Sequence, residues 1–160
     1  MESAKKQCIK RNKRKYEKVA AKPPKKTNQI FVAMMFSDEM DDFYDQAYKP
    51  VAEDMGYTAM RIDRKDYTGL IIEEIEADIK NSIAVIADLT GNRGGVYYEA
   101  GIARGLQLCN HPLKLILTCK KDFFENESVH FDLRGDNILI YQDINELKEK
   151  LRKRLETVLV

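Results

Sequence analysis

IAVIADLTGNRGGVYYEAGIARGLQL, residues 83–108, decides the fold. Ile83–Leu89 is an apolar run of strand length that meets a carboxylate, Asp88, near its end. Such a continuous run suits a strand buried on both faces, as parallel sheets require. A turn holding Gly94 and Gly95 follows, and then a helical pattern over Val96–Leu108 with Glu99 near its start. The small residues Ala100, Gly101, Ala103 and Gly105 are expected to let this helix lie close on the sheet. Strand, tight turn and helix make up most of a crossover unit, and such units build α/β folds.

The same alternation extends outward in both directions. Ile30–Phe36 reads as the first strand, with Ser37 and Asp38 placed to cap a helix running through Phe43, Ala47, Val51 and Met55. Pro50 predicts a kink or break in that helix, and Gly56 ends it. Tyr57–Ile62 is a short second strand. Leu70–Lys80 is an amphipathic helix with Ile71, Ile75 and Ile79 on one face. Leu113–Cys119 and Asn137–Tyr141 supply strands four and five, and Ile144–Leu159 a closing helix through Leu147, Leu151, Leu155 and Val158. Right-handed crossovers leave few ways to arrange these elements. The expectation is a flavodoxin-like three-layer sandwich around a five-stranded, mainly parallel sheet in the order 2-1-3-4-5.

Composition limits the function classes. The sequence has 160 residues and a net charge of +1, but the charge is uneven. Residues 1–28 hold eleven Lys or Arg against two acids, a balance of +9, which leaves −8 for the α/β domain assigned to residues 29–160. A basic extension can track nucleic acid or an acidic protein surface. A solvated linker, with Lys22-Pro23-Pro24-Lys25-Lys26 as its spacer, is the plainer reading. Cys8, Cys109 and Cys119 lack metal or disulfide spacing, so a reducing cytoplasm and no metal site are expected. No run is long and apolar enough for a membrane span, and the basic start lacks the apolar core of a secretory signal. No membrane partner is therefore expected.

Position then selects candidates for chemistry. In a 2-1-3-4-5 sheet, ligands bind beyond the strand ends at the switch point between strands 1 and 3. The loops there hold Phe36 and Ser37 on one side and Asp88 to Gly95 on the other. Gly94 and Gly95 permit positive φ and would let a ligand approach the backbone closely. Glu99, in the first helical turn, would be kept ionised by the helix dipole and could attack a sugar anomeric carbon, with Asp88 about 5 Å away as the second carboxyl group. Tyr97 and Tyr98 could stack on a base or orient Glu99. Equally, an acid in a first helical turn and an Asp after a strand are ordinary structural choices. Arg61 and Asp63, after strand 2, could bind sugar or phosphate, or form a surface ion pair. His130-Phe131-Asp132 could close over the site or reach a neighbouring subunit, and His111 carries no signal.

FVAMMF (31–36), RIDRKDYTGLIIEEIEADIKN (61–81) and D-L-T-G…V-Y-Y-E-A-G (88–101) together resemble the nucleoside 2-deoxyribosyltransferase-like family and the related TIR-like domains. The resemblance covers roughly Gln29 to Tyr141. It implies a flavodoxin-like fold, Glu99 as nucleophile toward the N-glycosidic bond of a nucleoside or nucleotide, and Asp88 as a helper in proton transfer or sugar orientation. It implies substrate contacts at Phe36 and Ser37. Arg93, Gly94, Gly95 and Tyr98 join Arg61 and Asp63 as binding candidates. Arg93-Gly94-Gly95 and Met35 depart from the commoner N-P-N and M-P-F forms of these motifs, and Arg93 could favour a phosphorylated substrate. No cofactor is implied beyond NAD as a substrate, and a homo-oligomer is expected. Two other readings stay open: a TIR-like NAD glycohydrolase of a defence system, and a non-catalytic nucleotide-sensing or self-association module.

Overall fold

The computed structural model describes residues 27–64, 71–126 and 129–159. The basic extension up to residue 26, Leu70 and the side chain of Phe131 lie outside that description. Strands β1 (Gln29–Ala33), β2 (Thr58–Met60), β3 (Ala84–Asp88), β4 (Lys114–Lys120) and β5 (Ile138–Tyr141) form one sheet. Its order is 2-1-3-4-5 and every pairing is parallel, as the flavodoxin-like reading requires.

The helices divide between the two faces because alternate strand residues do. Ile30, Val32, Ala84, Ile86, Ile116 and Leu139 point toward one layer. There they meet α1 (Asp38–Phe43), α2 (Lys49–Asp54) and α7 (Ile144–Leu159). Phe31, Ala33, Val85, Ala87 and Leu117 point the other way, toward α3 (Ile71–Asn81) and α4 (Gly94–Leu108). β3 is buried along its whole length, which explains its unbroken apolar run. Leu147, Leu151 and Leu155 of α7 are each fully buried, and each contributes about 1.5–3 kcal/mol through burial. Burial along α3 increases from exposed Ile71 through half-buried Ile75 to buried Ile79.

The helical chain runs on through Pro50, and the disturbance near it takes the form of a change of register. The chain passes from α1 into a π-helical turn, Tyr44–Tyr48, and on into α2. The Lys49 N–H bonds to the Tyr44 carbonyl five residues back, so the wider register comes just ahead of the proline that lacks an N–H. β1 ends at Ala33 rather than Phe36, and α4 begins two residues earlier than its apolar pattern implies. The long polar connection after β4 holds two short helices, α5 (Lys121–Glu125) and α6 (Phe131–Arg134). No helix among the described residues is long and apolar enough to cross a membrane.

His111, at the entry to β4, carries more structure than its sequence context suggests. Its Nδ1 accepts the Leu113 N–H at 3.3 Å, so the ring proton sits on Nε2, which is buried without a partner among the described residues. Burial, and then the charge of Lys80, lower its pKa. The unfolded chain therefore takes up a proton that the folded chain resists. Stability should fall as the pH drops below about 6.5 and level off below the lowered folded value. His111→Gln should flatten that part of a urea-denaturation pH series.

Candidate functional site at the sheet switch point

Asp88 ends β3 at the switch point, but its carboxylate turns into the layer of α1, α2 and α7 and is fully buried. The Tyr48 and Tyr141 hydroxyls donate to Oδ2 at 2.5 and 2.6 Å. Thr118 Oγ1 lies 3.1 Å from the same oxygen and 2.7 Å from the Tyr48 hydroxyl, so its one proton is shared between them. Oδ1 accepts the Thr90 N–H at 2.9 Å, and Thr90 Oγ1 in turn accepts the Lys120 N–H at 2.9 Å. Burial, and then the charge of Asp88, push both phenols well above the usual tyrosine range, so they remain donors at any physiological pH. The same two causes raise the Cys119 thiol to about 12 and leave it inert.

Tyr48, Thr118 and Tyr141 were not among the residues singled out from sequence. Their one signal is a hydroxyl within an apolar pattern: Thr118 in LKLILTC and Tyr141 closing NILIY. Tyr48 reads as an ordinary core position, and only the π-helical turn brings it to Asp88.

Glu99 sits in different surroundings. It lies on α4, in the opposite layer, and only 8% of it is exposed. The first residue of α4 is Gly94, so Glu99 falls in the second turn rather than the first. The dipole acts mainly within the first turn, and burial prevails over it. Burial raises the carboxyl pKa from 4.5 to about 7, in place of the expected dipole stabilisation of the anion. Among the described residues Glu99 has no hydrogen bond or ion pair. The neighbouring phenols are engaged elsewhere: Tyr97 accepts the His130 N–H at 3.0 Å, and Tyr98 donates to Glu76 of α3 at 3.1 Å. The ring of Tyr97 also meets the His130 imidazole edge-on, which ties the His130 segment to α4.

The loop between the two acids gets its shape from residues other than those expected. Positive φ occurs at Gly91 (80°) and Asn92 (51°), whereas Gly94 and Gly95 are the helical first residues of α4. A Cβ on Gly91 would come within 2.5 Å of Met35 Sδ, so Gly91 also allows the β1 loop to pass close by. A Cβ on Gly94 or Gly95 would meet nothing within 4 Å, so open space lies above both. Gly95 is four residues before Glu99 on the same helical face, and helical side chains lean toward the N-terminus. Arg93, the N-cap, is exposed and has no partner among the described residues.

On the β1–β2 side of the switch point, Arg61 is a buried bridge rather than half of a surface pair. Its Nε and Nη2 bond to Asp63 at 2.6 Å, and Nη2 bonds to Asp41 of α1 at 2.6 Å. Its guanidinium lies 4.7 Å from the Tyr44 ring centre and 5.4 Å from that of Phe36. Burial opposes its charge, but the bonds to Asp63 and Asp41 outweigh that and raise its pKa. Arg64 completes the network through Asp41 and Asp45. Phe36, backed by Arg61 and 53% exposed, presents its ring in the loop that follows β1. Ser37 Oγ accepts the Met40 N–H at 3.3 Å and caps α1. Among the described residues no cluster of three or more His, Cys, Asp or Glu is placed to hold a metal ion.

The fold and these residues define a class: a flavodoxin-like α/β domain with a glutamate beside its switch-point loop that is buried and unpaired among the described residues. No protein-family model matches the chain, and no curated protein matches it.

The two acids should respond to substitution with opposite signs. Asp88→Ala strands three buried hydroxyls and should cost about 3–5 kcal/mol in urea denaturation. Glu99 in the fold holds a proton that the unfolded chain has released between pH 4.5 and about 7, so it lowers stability as the pH rises through that window. Glu99→Gln should therefore stabilise the protein by up to about 3 kcal/mol at pH 8 and change little at pH 4.

Proposed function

We propose that the protein cleaves or transfers the N-glycosidic bond of a nucleoside or nucleotide, with Glu99 as the nucleophile. The observation that carries this reading is the burial of Glu99 without a partner among the described residues. A carboxylate in that setting costs stability, and such groups concentrate where chemistry needs them. The motif resemblance supports the same role, and so does the position of α4 at the switch point.

In this reaction Glu99 Oε attacks C1′ as the C1′–N bond breaks, and the base leaves with the bonding electrons and takes up a proton. Water or a second base then attacks C1′ and releases the carboxylate. Asp88 serves as a positioning residue: its carboxylate is saturated by donors and holds Thr90 at the head of the loop. Phe36 offers a stacking surface for the base, and Arg93, unpartnered among the described residues, with the open space over Gly94 and Gly95 suits an anionic group. Arg61 and Asp63 act indirectly, by bracing the Phe36 side of the crevice. Tyr98, joined to Glu76, lines the α3 side. The unpaired thiols Cys109 and Cys119 fit a reducing, cytoplasmic setting.

The same glutamate would serve an NAD glycohydrolase, and a nucleotide-sensing module would use the same crevice without turnover. A panel of nucleosides, 5′-nucleotides and NAD, assayed for released base, separates the three. Base release should appear with one class of substrate and fall by about 1000-fold or more in Glu99→Gln. Since the ionised carboxylate is the nucleophile, kcat/KM should rise with pH through about 7. A Glu99→Gln variant as fast as the parent would refute the mechanism. Tight binding with no product would favour the sensing module.

A further inference from the structure

On α4, Ala100 and Ala103 pack toward the sheet, but Gly101 and Gly105 are exposed, contrary to the expectation that all four seat the helix. A more specific surface lies at the far edge of the sheet. β5 is the last strand in the sheet order, so its outer side has no strand beside it among the described residues. Lys150 Nζ donates to the Ile140 carbonyl at 2.7 Å, so that carbonyl faces away from β4. Backbone groups alternate in direction along a strand, which turns the Ile140 N–H and the Ile138 carbonyl outward as well. Such groups are a template for pairing with an added strand. A groove of about 390 Å³ runs along them, between Ile138, Leu139 and Ile140 on one side and Lys150, Arg154 and Thr157 of α7 on the other.

The two faces at this edge differ in kind. Leu139 and Tyr141 point into the layer of α7, which sets Lys150, Lys153 and Arg154 along the groove. Ile138 and Ile140 point into the opposite layer, where they and Phe123 and Phe124 of α5 are only half-buried. Lys150 and Lys153 pair with Glu146 and Glu149 one turn earlier, each at 2.7 Å, and exposed pairs of this kind are weak enough for another carboxylate to compete. Arg154 has no carboxylate among the described residues and bonds only to Asn137, at the carbonyl (3.3 Å) and at Oδ1 (3.1 Å). Lysines on a sheet edge guard it against indiscriminate pairing. Here the guards are also counter-ions: a strand that displaces Lys150 must give the Ile140 carbonyl an N–H and the freed ammonium a carboxylate. Side chains of an added strand alternate between the faces, so the strand that fits carries acids on the α7 side and apolar residues beside Ile138 and Ile140. We propose that the β5 edge binds an extended segment of a partner protein in which acidic and apolar residues alternate, with Arg154 anchoring its carboxylates.

The test is fluorescence anisotropy of the full chain with a labelled peptide of alternating valine and glutamate, about seven residues long. This peptide should bind with a Kd of about 100 μM or tighter, and a valine–lysine peptide should not bind. Arg154→Glu should raise the Kd by about 10-fold or more with unchanged circular dichroism. Methylating the backbone nitrogens of the glutamate peptide keeps its charge, removes its strand donors and should weaken binding by a similar factor, a comparison made on the unaltered protein. No binding of the glutamate peptide at about 1 mM would overturn the proposal. So would a Kd unchanged by Arg154→Glu, which would put the peptide on the basic extension or another surface. A Kd unchanged by methylation would overturn it too, since charge attraction alone, open to any polyanion, would then account for binding.

Discussion

A single buried carboxylate organises the carboxyl edge of the sheet. Asp88 receives hydrogen bonds from the π-helical turn through Tyr48, from β5 through Tyr141, from β4 through Thr118, and from the loop it heads through Thr90. A buried charge is tolerable only when donors replace the water it has lost, and here the donors come from four separate segments. None of those segments can shift without leaving a polar group unsatisfied. The switch-point loop thus starts from a fixed point, and Gly91 and Asn92 turn it toward α4.

Glu99 is the counterpart to that arrangement. The two acids are eleven residues apart in the chain yet lie in opposite layers, one saturated with donors and the other with none among the described residues. Environments that differ this much separate the roles of two carboxylates. Asp88 contributes to stability and shape, whereas Glu99 lowers stability and keeps a proton in play near neutral pH. The β1–β2 side of the switch point is built differently: Arg61 bridges Asp41 and Asp63 and backs the exposed ring of Phe36.

Much of the fold was legible because it rests on patterns that repeat along the chain. The apolar runs of β1, β3 and β4 and the spacing of Leu147, Leu151 and Leu155 each specify an element and its buried side. Crossover handedness then leaves little freedom in strand order. The site was legible in position but not in detail. Asp88 and Glu99 stand out by their place after a strand and in a helix, but nothing local reveals that the carboxylates face different layers. The π-helical turn is the clearest case. Pro50 signals a disturbance, but only the tertiary contacts of Tyr44 with Arg61 and Tyr48 with Asp88 account for the form it takes. Likewise, the glycine pairs look alike in sequence, and only the backbone angles distinguish Gly91, required by the turn, from Gly94 and Gly95, which leave space.

If Glu99 meets the sugar, it carries the glycosyl group between the two steps of the reaction. The most direct measurement is intact-protein and peptide mass spectrometry after incubation with a 2′-fluoro-substituted nucleoside or nucleotide, whose electron-withdrawing fluorine slows breakdown of a glycosyl–enzyme ester. An adduct of the fluorosugar mass should appear on Glu99 within the Gly94–Arg104 segment. Turnover of the unsubstituted substrate with the adduct on another residue, or with none, would contradict it.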